Sequence, residues 1–264
     1  MNILLLKLFL APVIIGGASL AGRRWGPGVS GWLVGLPLTS GPVIFFVSIS
    51  HPISFAASTA LGTLSGGIAL VTFCLVYSWL AIYFNWAVSI TGSIFFYGLV
   101  TILMQNVILP LWIIFSLVVI FIFIGLQLMP KKTQLMVRES TPGKWDLPVR
   151  IFIGTSFIFG LTAIAPLIGP RLTGLLSTIP LYTAILAIFA HRLQGAAGAA
   201  SLLRGLLFGL FGFSGFYLVL SLFLDPGRQV TPINGGIAAA FFAAVVTALL
   251  IQGLSFLFMK HTPT

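Results

Sequence analysis

Apolar runs of about 20 residues recur from one end of the chain to the other, and each could cross a hydrocarbon core of about 30 Å as a helix. Hydrophobic residues occupy 59% of the 264 positions and charged residues only 6%, which is too little polar surface to cover a soluble globule of this size. The pattern therefore predicts an all-α, polytopic membrane protein.

Turn and charge signals divide the apolar sequence into nine predicted transmembrane helices. They lie near residues 3–21, 29–49, 55–81, 86–105, 108–129, 149–168, 172–190, 202–224 and 232–258. The one sizeable polar segment, residues 130–148, is predicted to be a cytoplasmic loop. This division gives a first membrane repeat at 1–107, a linker helix and loop at 108–148, and a second membrane repeat at 149–264.

The two halves are related by an internal duplication. An ungapped shift of 143 residues aligns residues 4–94 with 147–237 and gives 24 identities, many more than composition alone would give. If residues 108–129 form a full span, an odd number of spans separates equivalent helices. The sequence then predicts two inverted four-helix repeats, an architecture that recurs in secondary transporters. Within this alignment, one matched block, 56–66 against 199–209, places small residues at every fourth position and predicts close helix packing.

The distribution of basic residues predicts the orientation. On the predicted topology, ten fall on one face of the membrane and three on the other, which puts the C-terminus in the cytoplasm and the N-terminus outside. The ten are Arg23, Arg24, Lys131, Lys132, Arg138, Lys144, Arg150, Arg192, Arg204 and Lys260, and the three are Lys7, Arg171 and Arg228.

Proline interrupts the second predicted helix of each half, at Pro37 and at Pro180. Each proline removes an i to i−4 hydrogen bond and frees a carbonyl. Interrupted helices at equivalent places in inverted halves indicate a binding site near the bilayer midplane. The residues predicted to bind a solute there are Pro37, Thr39, Ser40, Thr178, Pro180, Tyr182 and Thr183. A purely structural interpretation is open too, because proline kinks and hydroxyls that bond to helix carbonyls are common in membrane helices.

Two further residues of the second half are candidates for this site. Arg204 replaces the Leu61 of the first half, and it could act as a fixed cation for an anionic solute if its helix begins near Gly195. If the span begins at Gly205, Arg204 would instead snorkel to the cytoplasmic surface. His191, at the end of a predicted helix, could bind solute or sense pH, although single histidines at span ends usually lie in the interface.

Several classes of function lack the residues that they need. The single cysteine, Cys74, excludes an intramolecular disulfide and a thiolate cluster, and no metal or other cofactor is expected. None of the three carboxylates, Glu139, Asp146 and Asp225, lies centrally in a predicted span, so neither an enzyme nor a carboxylate proton relay is expected. The net charge of +10 comes from residues between apolar segments and indicates no nucleic acid.

Residues 172–217 contain the sequence Leu-Leu-Ser-Thr-Ile-Pro-Leu-Tyr-Thr and, further on, Leu-Leu-Arg-Gly-Leu-Leu-Phe-Gly. This segment resembles the small four-helix GlpM-type bacterial membrane proteins, and the resemblance depends on Pro180, His191, Arg204 and Gly209. It covers the first half only through the internal repeat. The resemblance implies a bacterial inner-membrane protein formed by fusion of two four-helix units, and it names no substrate.

The function predicted from the sequence is secondary transport of a small solute. An anionic solute is favoured because basic residues predominate over acidic ones. A flippase for lipids or lipid-linked carriers is an alternative that a lateral opening between helices would favour. A non-transporting accessory subunit is a third, and it predicts no cavity at the level of the two prolines. The expected partners are membrane lipids and the solute, and a homodimer is left open.

Overall fold

The computed structural model describes residues 26–130, 146–224 and 236–261 together with Val13. Most of these residues are helical and none lies in a strand, which confirms the all-α class. The predicted helix at 3–21, most of the 130–148 loop, and Lys7, Arg23, Arg24, Asp225 and Arg228 lie outside the described residues.

The helices differ widely in length. They are α1 Gly26–Val34, α2 Ser40–Ser50, α3 Ile53–Tyr83, α4 Trp86–Asn106, α5 Leu111–Leu128, α6 Asp146–Ile168, α7 Pro170–Ser177, α8 Leu181–Leu224 and α9 Gly236–His261. Helix α8 is broken at Gly195, whose φ of 71° lies in the left-handed region that favours glycine. We call residues 181–194 the N-terminal arm of α8 and residues 196–224 its C-terminal arm.

Six helical stretches of the described chain are long and apolar enough to cross a membrane, as expected of a multi-pass membrane protein. They are Ile53–Tyr83, Trp86–Asn106, Leu111–Leu128, Ile151–Ile168, Pro170–Leu224 and Gly236–Met259. The predicted count of nine spans is not supported. The predicted span at 29–49 is two short helices, those at 172–190 and 202–224 share one apolar stretch, and 3–21 is not described.

Helix α3 and the C-terminal arm of α8 form the centre of the bundle. Most of both helices is buried, whereas α4, α5 and α9 bury only a minor part of their surface and present leucine, isoleucine, valine and phenylalanine outward. Such outward apolar surface is what a hydrocarbon solvent requires. The largest fully buried side chains include Tyr77 and Phe73 of α3 and Tyr217 of α8.

Glycines allow two pairs of helices to approach at backbone distance. On the C-terminal arm of α8, a Cβ at Gly205 would collide with the Gly28 carbonyl oxygen of α1. On α3, a Cβ at Gly62 would collide with the carbonyl oxygen of Arg171 on α7. The small-residue blocks predicted from the sequence thus lie at close helix contacts. Residues 28 and 171, like residues 62 and 205, are 143 positions apart, so the two contacts are equivalent under the internal repeat.

The order of contacts gives the relative direction of the helices. Gly67 of α3 lies against Phe213 of α8, while Val71, four residues later, and Leu207, six residues earlier, both lie against Gly125 of α5. Helix α3 and the C-terminal arm of α8 therefore run in opposite directions.

Each of the two short helices α1 and α7 runs parallel to the long helix that it contacts. Along α1, Gly28 contacts Gly205 and Gly35 contacts Gly209, so α1 runs parallel to the C-terminal arm of α8. Along α7, Arg171 contacts Gly62 and Thr178 contacts Gly66, so α7 runs parallel to α3. Because α3 and the C-terminal arm of α8 are antiparallel, α1 and α7 also run in opposite directions.

Candidate functional site

Two helix breaks, 143 residues apart, face each other at the centre of the bundle. In the first, α1 ends at Val34 and α2 begins at Ser40, with Pro37 between them. In the second, α7 ends at Ser177 and α8 begins at Leu181, directly after Pro180. Proline removes a backbone donor from the helix interior, so a break at these positions follows from the sequence.

The two breaks have the same backbone hydrogen bonds. The Leu38 N–H donates to the Leu36 carbonyl at 2.7 Å, and the Leu181 N–H donates to the Ile179 carbonyl at 2.8 Å, so each proline is the central residue of a three-residue turn. The carbonyl of each proline then accepts the N–H four residues later, at 2.8 Å for Pro37 and 2.7 Å for Pro180.

The two carbonyls that the prolines were predicted to free both accept another hydrogen bond. The Leu33 carbonyl, which a residue other than Pro37 would have bonded, accepts the Leu36 N–H at 3.1 Å, and the Leu176 carbonyl likewise accepts the Ile179 N–H at 3.0 Å. Both carbonyls thus accept a hydrogen bond within a tighter turn at the end of the helix. Instead, the carbonyls of Val34, Gly35 and Ser177 receive no N–H from the backbone of the described ranges.

A cavity of about 40 Å³ lies between the breaks, and both of them line it. Six of the residues predicted for the site are on its wall: Thr39, Ser40, Thr178, Pro180, Tyr182 and Thr183. Leu70 of α3 and Phe213 of α8 close it from the side. Three of these hydroxyl residues are buried, so their polar groups can form hydrogen bonds only inside the bundle: Ser40, Thr178 and Thr183.

Hydroxyl groups behind the cavity connect the second break to its neighbours. Thr63 of α3 lies 3.1 Å from the Ser177 hydroxyl. The Tyr97 hydroxyl of α4 lies 2.9 Å from Thr178 Oγ1 and 3.1 Å from the Leu175 carbonyl oxygen. These bonds join the C-terminal end of α7 to α3 and α4, and they fix the position of the second break.

One tyrosine beside the cavity has an unsatisfied hydroxyl. Tyr217 is fully buried, and its oxygen finds no hydrogen-bond partner in the described part of the chain. Its polar neighbours are Ser40 of α2 and Thr63 of α3, which do not reach hydrogen-bond geometry. An unpaired buried hydroxyl costs about 1–3 kcal/mol, so this group is a candidate contact for water or solute.

Three residues around the cavity were not predicted from the sequence: Thr63, Tyr97 and Tyr217. For Tyr97 a signal existed, because the buried residues of α4 are Ser89, Ser93, Tyr97 and Thr101, a hydroxyl at every fourth position of an otherwise apolar helix. For Thr63 and Tyr217 no comparable pattern exists, since only the packing of α3 against α7 and α8 brings them beside the cavity.

Arg204 lies away from the cavity. Arg204 precedes Leu207 by nearly one turn, and Leu207 lies against Gly125 of α5. Helix α5 runs in the opposite direction, so the residue level with Arg204 is Leu128, nearly one turn after Gly125. Arg204 is therefore level with the end of α5, about 13 Å along the helix from Phe213. It is half-buried and forms no ion pair or hydrogen bond with the described residues, which agrees with a side chain that snorkels to the surface.

His191 lies at the same end of the bundle. Its Nδ1 is 3.5 Å from the Tyr77 hydroxyl, and Trp79, two residues after Tyr77, donates from Nε1 to the Leu128 carbonyl at 3.0 Å. The next residue, Arg192, stacks over the Trp86 ring at 5.8 Å. Aromatic and basic side chains at one level are typical of a membrane interface. Pro37, the remaining predicted site residue, faces an apolar groove on the other side of the first break.

The described residues contain no group of three or more histidine, cysteine, aspartate or glutamate side chains that could hold a metal ion. The cavity offers hydroxyl groups, carbonyls that receive no N–H from the described backbone, and the beginnings and ends of helices. Such groups can bind a small polar solute or an ion.

No family model matches the chain, and no curated protein or solved structure is significantly similar to it. The resemblance of the second half to the GlpM-type proteins therefore stays a prediction.

Proposed function

We propose that the protein is a secondary transporter that moves a small solute across the membrane through the cavity between the two helix breaks. The observation that carries this proposal is that two interrupted helices with the same backbone hydrogen bonds meet at one hydroxyl-lined cavity. Interrupted helices in the membrane persist where they line such a site. A non-transporting accessory subunit was expected to have no cavity at the level of the two prolines, so the presence of the cavity favours the transporter over it.

The proposal includes two inverted repeats. Its support is that α1 and its equivalent α7 run in opposite directions, as do α3 and its equivalent, the C-terminal arm of α8. Each short helix packs on the long helix of the other half through equivalent glycines. Paired contacts of this kind are expected of a pseudo-twofold axis, which for antiparallel spans lies in the plane of the membrane.

The size of the cavity implies movement during transport. A volume of about 40 Å³ is a few times the roughly 10–15 Å³ that one water molecule needs, so the cavity has room for only a few water molecules. A larger solute can enter only if the two breaks separate. On this proposal the conformation described above is a closed form, and opening towards one face and then the other would give alternating access.

We propose an anionic solute. Helices α2 and α8 both begin at the cavity, and the positive ends of their dipoles favour negative charge. The hydroxyls of Ser40 and Thr183 at these two helix starts can donate hydrogen bonds to it. For location we propose the bacterial inner membrane with the C-terminus in the cytoplasm, supported by the grouping of Arg192 and Arg204 at one interface.

The test is a flux assay in proteoliposomes with a panel of labelled small anions, cations and neutral solutes. We expect the wild-type protein to move at least one anion, and Ser40→Ala to reduce that flux at least tenfold because it removes a donor from the cavity wall. Ser48→Ala is the matched control: it is a buried serine of α2 that bonds to the Ile44 carbonyl at 2.7 Å, outside the cavity. If the two variants lose flux equally, or if no solute moves, the proposal is wrong.

A lipid flippase is the second candidate, because the groove beside Pro37 opens sideways between helices. That groove is lined by apolar residues throughout, so a lipid headgroup would find no polar partner along it. A scrambling assay with fluorescent phospholipids separates the two functions, since only a flippase would exchange the label between leaflets.

A further inference from the structure

An apolar groove of about 330 Å³ lies between α2, α8 and α9, on the outer side of the first helix break. Its walls are formed by Pro37 and Phe45, by Phe216 of α8, and by Val245 and Leu249 of α9. Pro42 also lines the groove, and nearly all of the wall is apolar.

The groove is continuous with the lipid-facing surface. Val245 and Leu249 are 44% and 57% exposed, and both belong to α9, an apolar span of which only a minor part is buried. Around such a span the surrounding medium is hydrocarbon and not water. A groove of this kind is therefore filled from the bilayer, and we propose that it binds one acyl chain of a membrane phospholipid.

The depth of the groove suits the end of such a chain. Ala248, on the groove wall, lies 12 residues after Gly236 and 13 before His261, at the middle of α9. The middle of a span is about 15 Å from either edge of the hydrocarbon core. An acyl chain anchored at the surface by its headgroup reaches this depth with its terminal half, and the apolar walls match that half.

The bound chain lies against the helix break. Leu36 and Leu38, on either side of Pro37, line both the groove and the central cavity. One short segment thus separates the lipid from the space between the two breaks. An acyl chain in the groove packs against the outer face of this segment and supports it in the position that the structure shows. The site does not depend on the proposed transport function.

Native mass spectrometry of the full chain, purified in a mild detergent, tests the site by counting retained phospholipids. Leu249→Trp places an indole in the groove, and Leu250→Trp is the matched control, since Leu250 is the neighbouring leucine, 66% exposed, and does not line the groove. We expect the wild type and Leu250→Trp to retain one tightly bound phospholipid, and Leu249→Trp to bind it at least tenfold more weakly.

Equal retention by the three proteins would overturn the proposal, as would equal loss in both variants. If Leu249→Trp does not yield a monodisperse protein, Val245→Phe replaces it in the same measurement with the same expectation. Glycerol phosphate, a headgroup without chains, is added in parallel to distinguish headgroup binding: thermal stabilisation by this compound, matching that by intact phospholipid, would contradict an acyl-chain site. No solute is present, so a negative result here leaves the flux assay unaffected.

Discussion

Replacing Gly205 by alanine tests the helix contact on which the proposed symmetry depends. The new Cβ would overlap the Gly28 carbonyl oxygen and touch the backbone of Trp32, so α1 must move away from α8. Overpacking of this kind costs about 1–3 kcal/mol, and because the obstacle is backbone, side-chain repacking cannot relieve it. We therefore expect Gly205→Ala to lower the free energy of unfolding by about 2 kcal/mol.

Gly98→Ala is the matched control. Gly98 is a helical glycine of α4, and a Cβ there would meet no other helix of the described chain within 4 Å. Alanine there should stabilise the helix by roughly 0.5–1 kcal/mol, because it reduces the backbone entropy of the unfolded chain. Both variants replace glycine by alanine. Changes of opposite sign in the free energy of unfolding would therefore be due to the helix contact at Gly205.

The assay is equilibrium unfolding in mixed detergent micelles, followed by circular dichroism at increasing denaturing detergent. Gly62→Ala, whose Cβ would meet the Arg171 carbonyl oxygen in the equivalent contact of the other half, should be destabilised with the same sign as Gly205→Ala. Unfolding of Gly205→Ala at or above the wild-type midpoint would refute the reasoning about backbone contact. A loss in Gly205→Ala without one in Gly62→Ala would refute the equivalence of the two contacts.

Three further predictions concern the site and the topology. Tyr97→Phe removes the hydroxyl that joins α4 to Thr178, and we expect the free energy of unfolding to fall in the same assay by about 0.6 kcal/mol, the average for hydrogen bonds between membrane helices, and by no more than about 1.7 kcal/mol. Tyr217→Phe should instead raise stability by about 1 kcal/mol, because it deletes a buried hydroxyl without a partner in the described chain, and it should reduce solute flux if that hydroxyl contacts the solute. Pro110, between α4 and α5, is exposed, and a cysteine placed there in a Cys74→Ala background should react with a membrane-impermeant maleimide only from outside the cell; labelling from the cytoplasm would contradict the proposed orientation.

The local features of the site were predictable from the sequence because they depend on neighbouring residues. Pro37 and Pro180 break their helices since proline supplies no donor and its ring clashes with the preceding turn, whatever surrounds it. Hydroxyl residues next to the prolines were therefore correctly placed beside the breaks. The number of spans was not, because a strongly apolar run does not reveal whether a break at its centre leaves one crossing helix or two short ones.

The fate of individual charges and hydroxyls depended on packing. Arg204 and His191 were candidates because they break the symmetry between the halves, yet the order of contacts along α5 and α3 places both at one end of the bundle. Tyr217 had no distinguishing pattern in the sequence, and it lies beside the cavity only because α3 and α8 cross there.

The sequence alone determined the class of protein, the duplication and the positions of the two breaks, since hydrophobicity, residue identity and the chemistry of proline act locally along the chain. Only the tertiary structure decided that the breaks meet, that hydroxyls from α3, α4 and α8 surround them, and that an apolar groove lies behind the first. The physical reason is that these features are set by the rotation and relative height of packed helices. Backbone contacts at glycines such as Gly205 and Gly62 fix both quantities, and they join residues more than 100 positions apart in the chain.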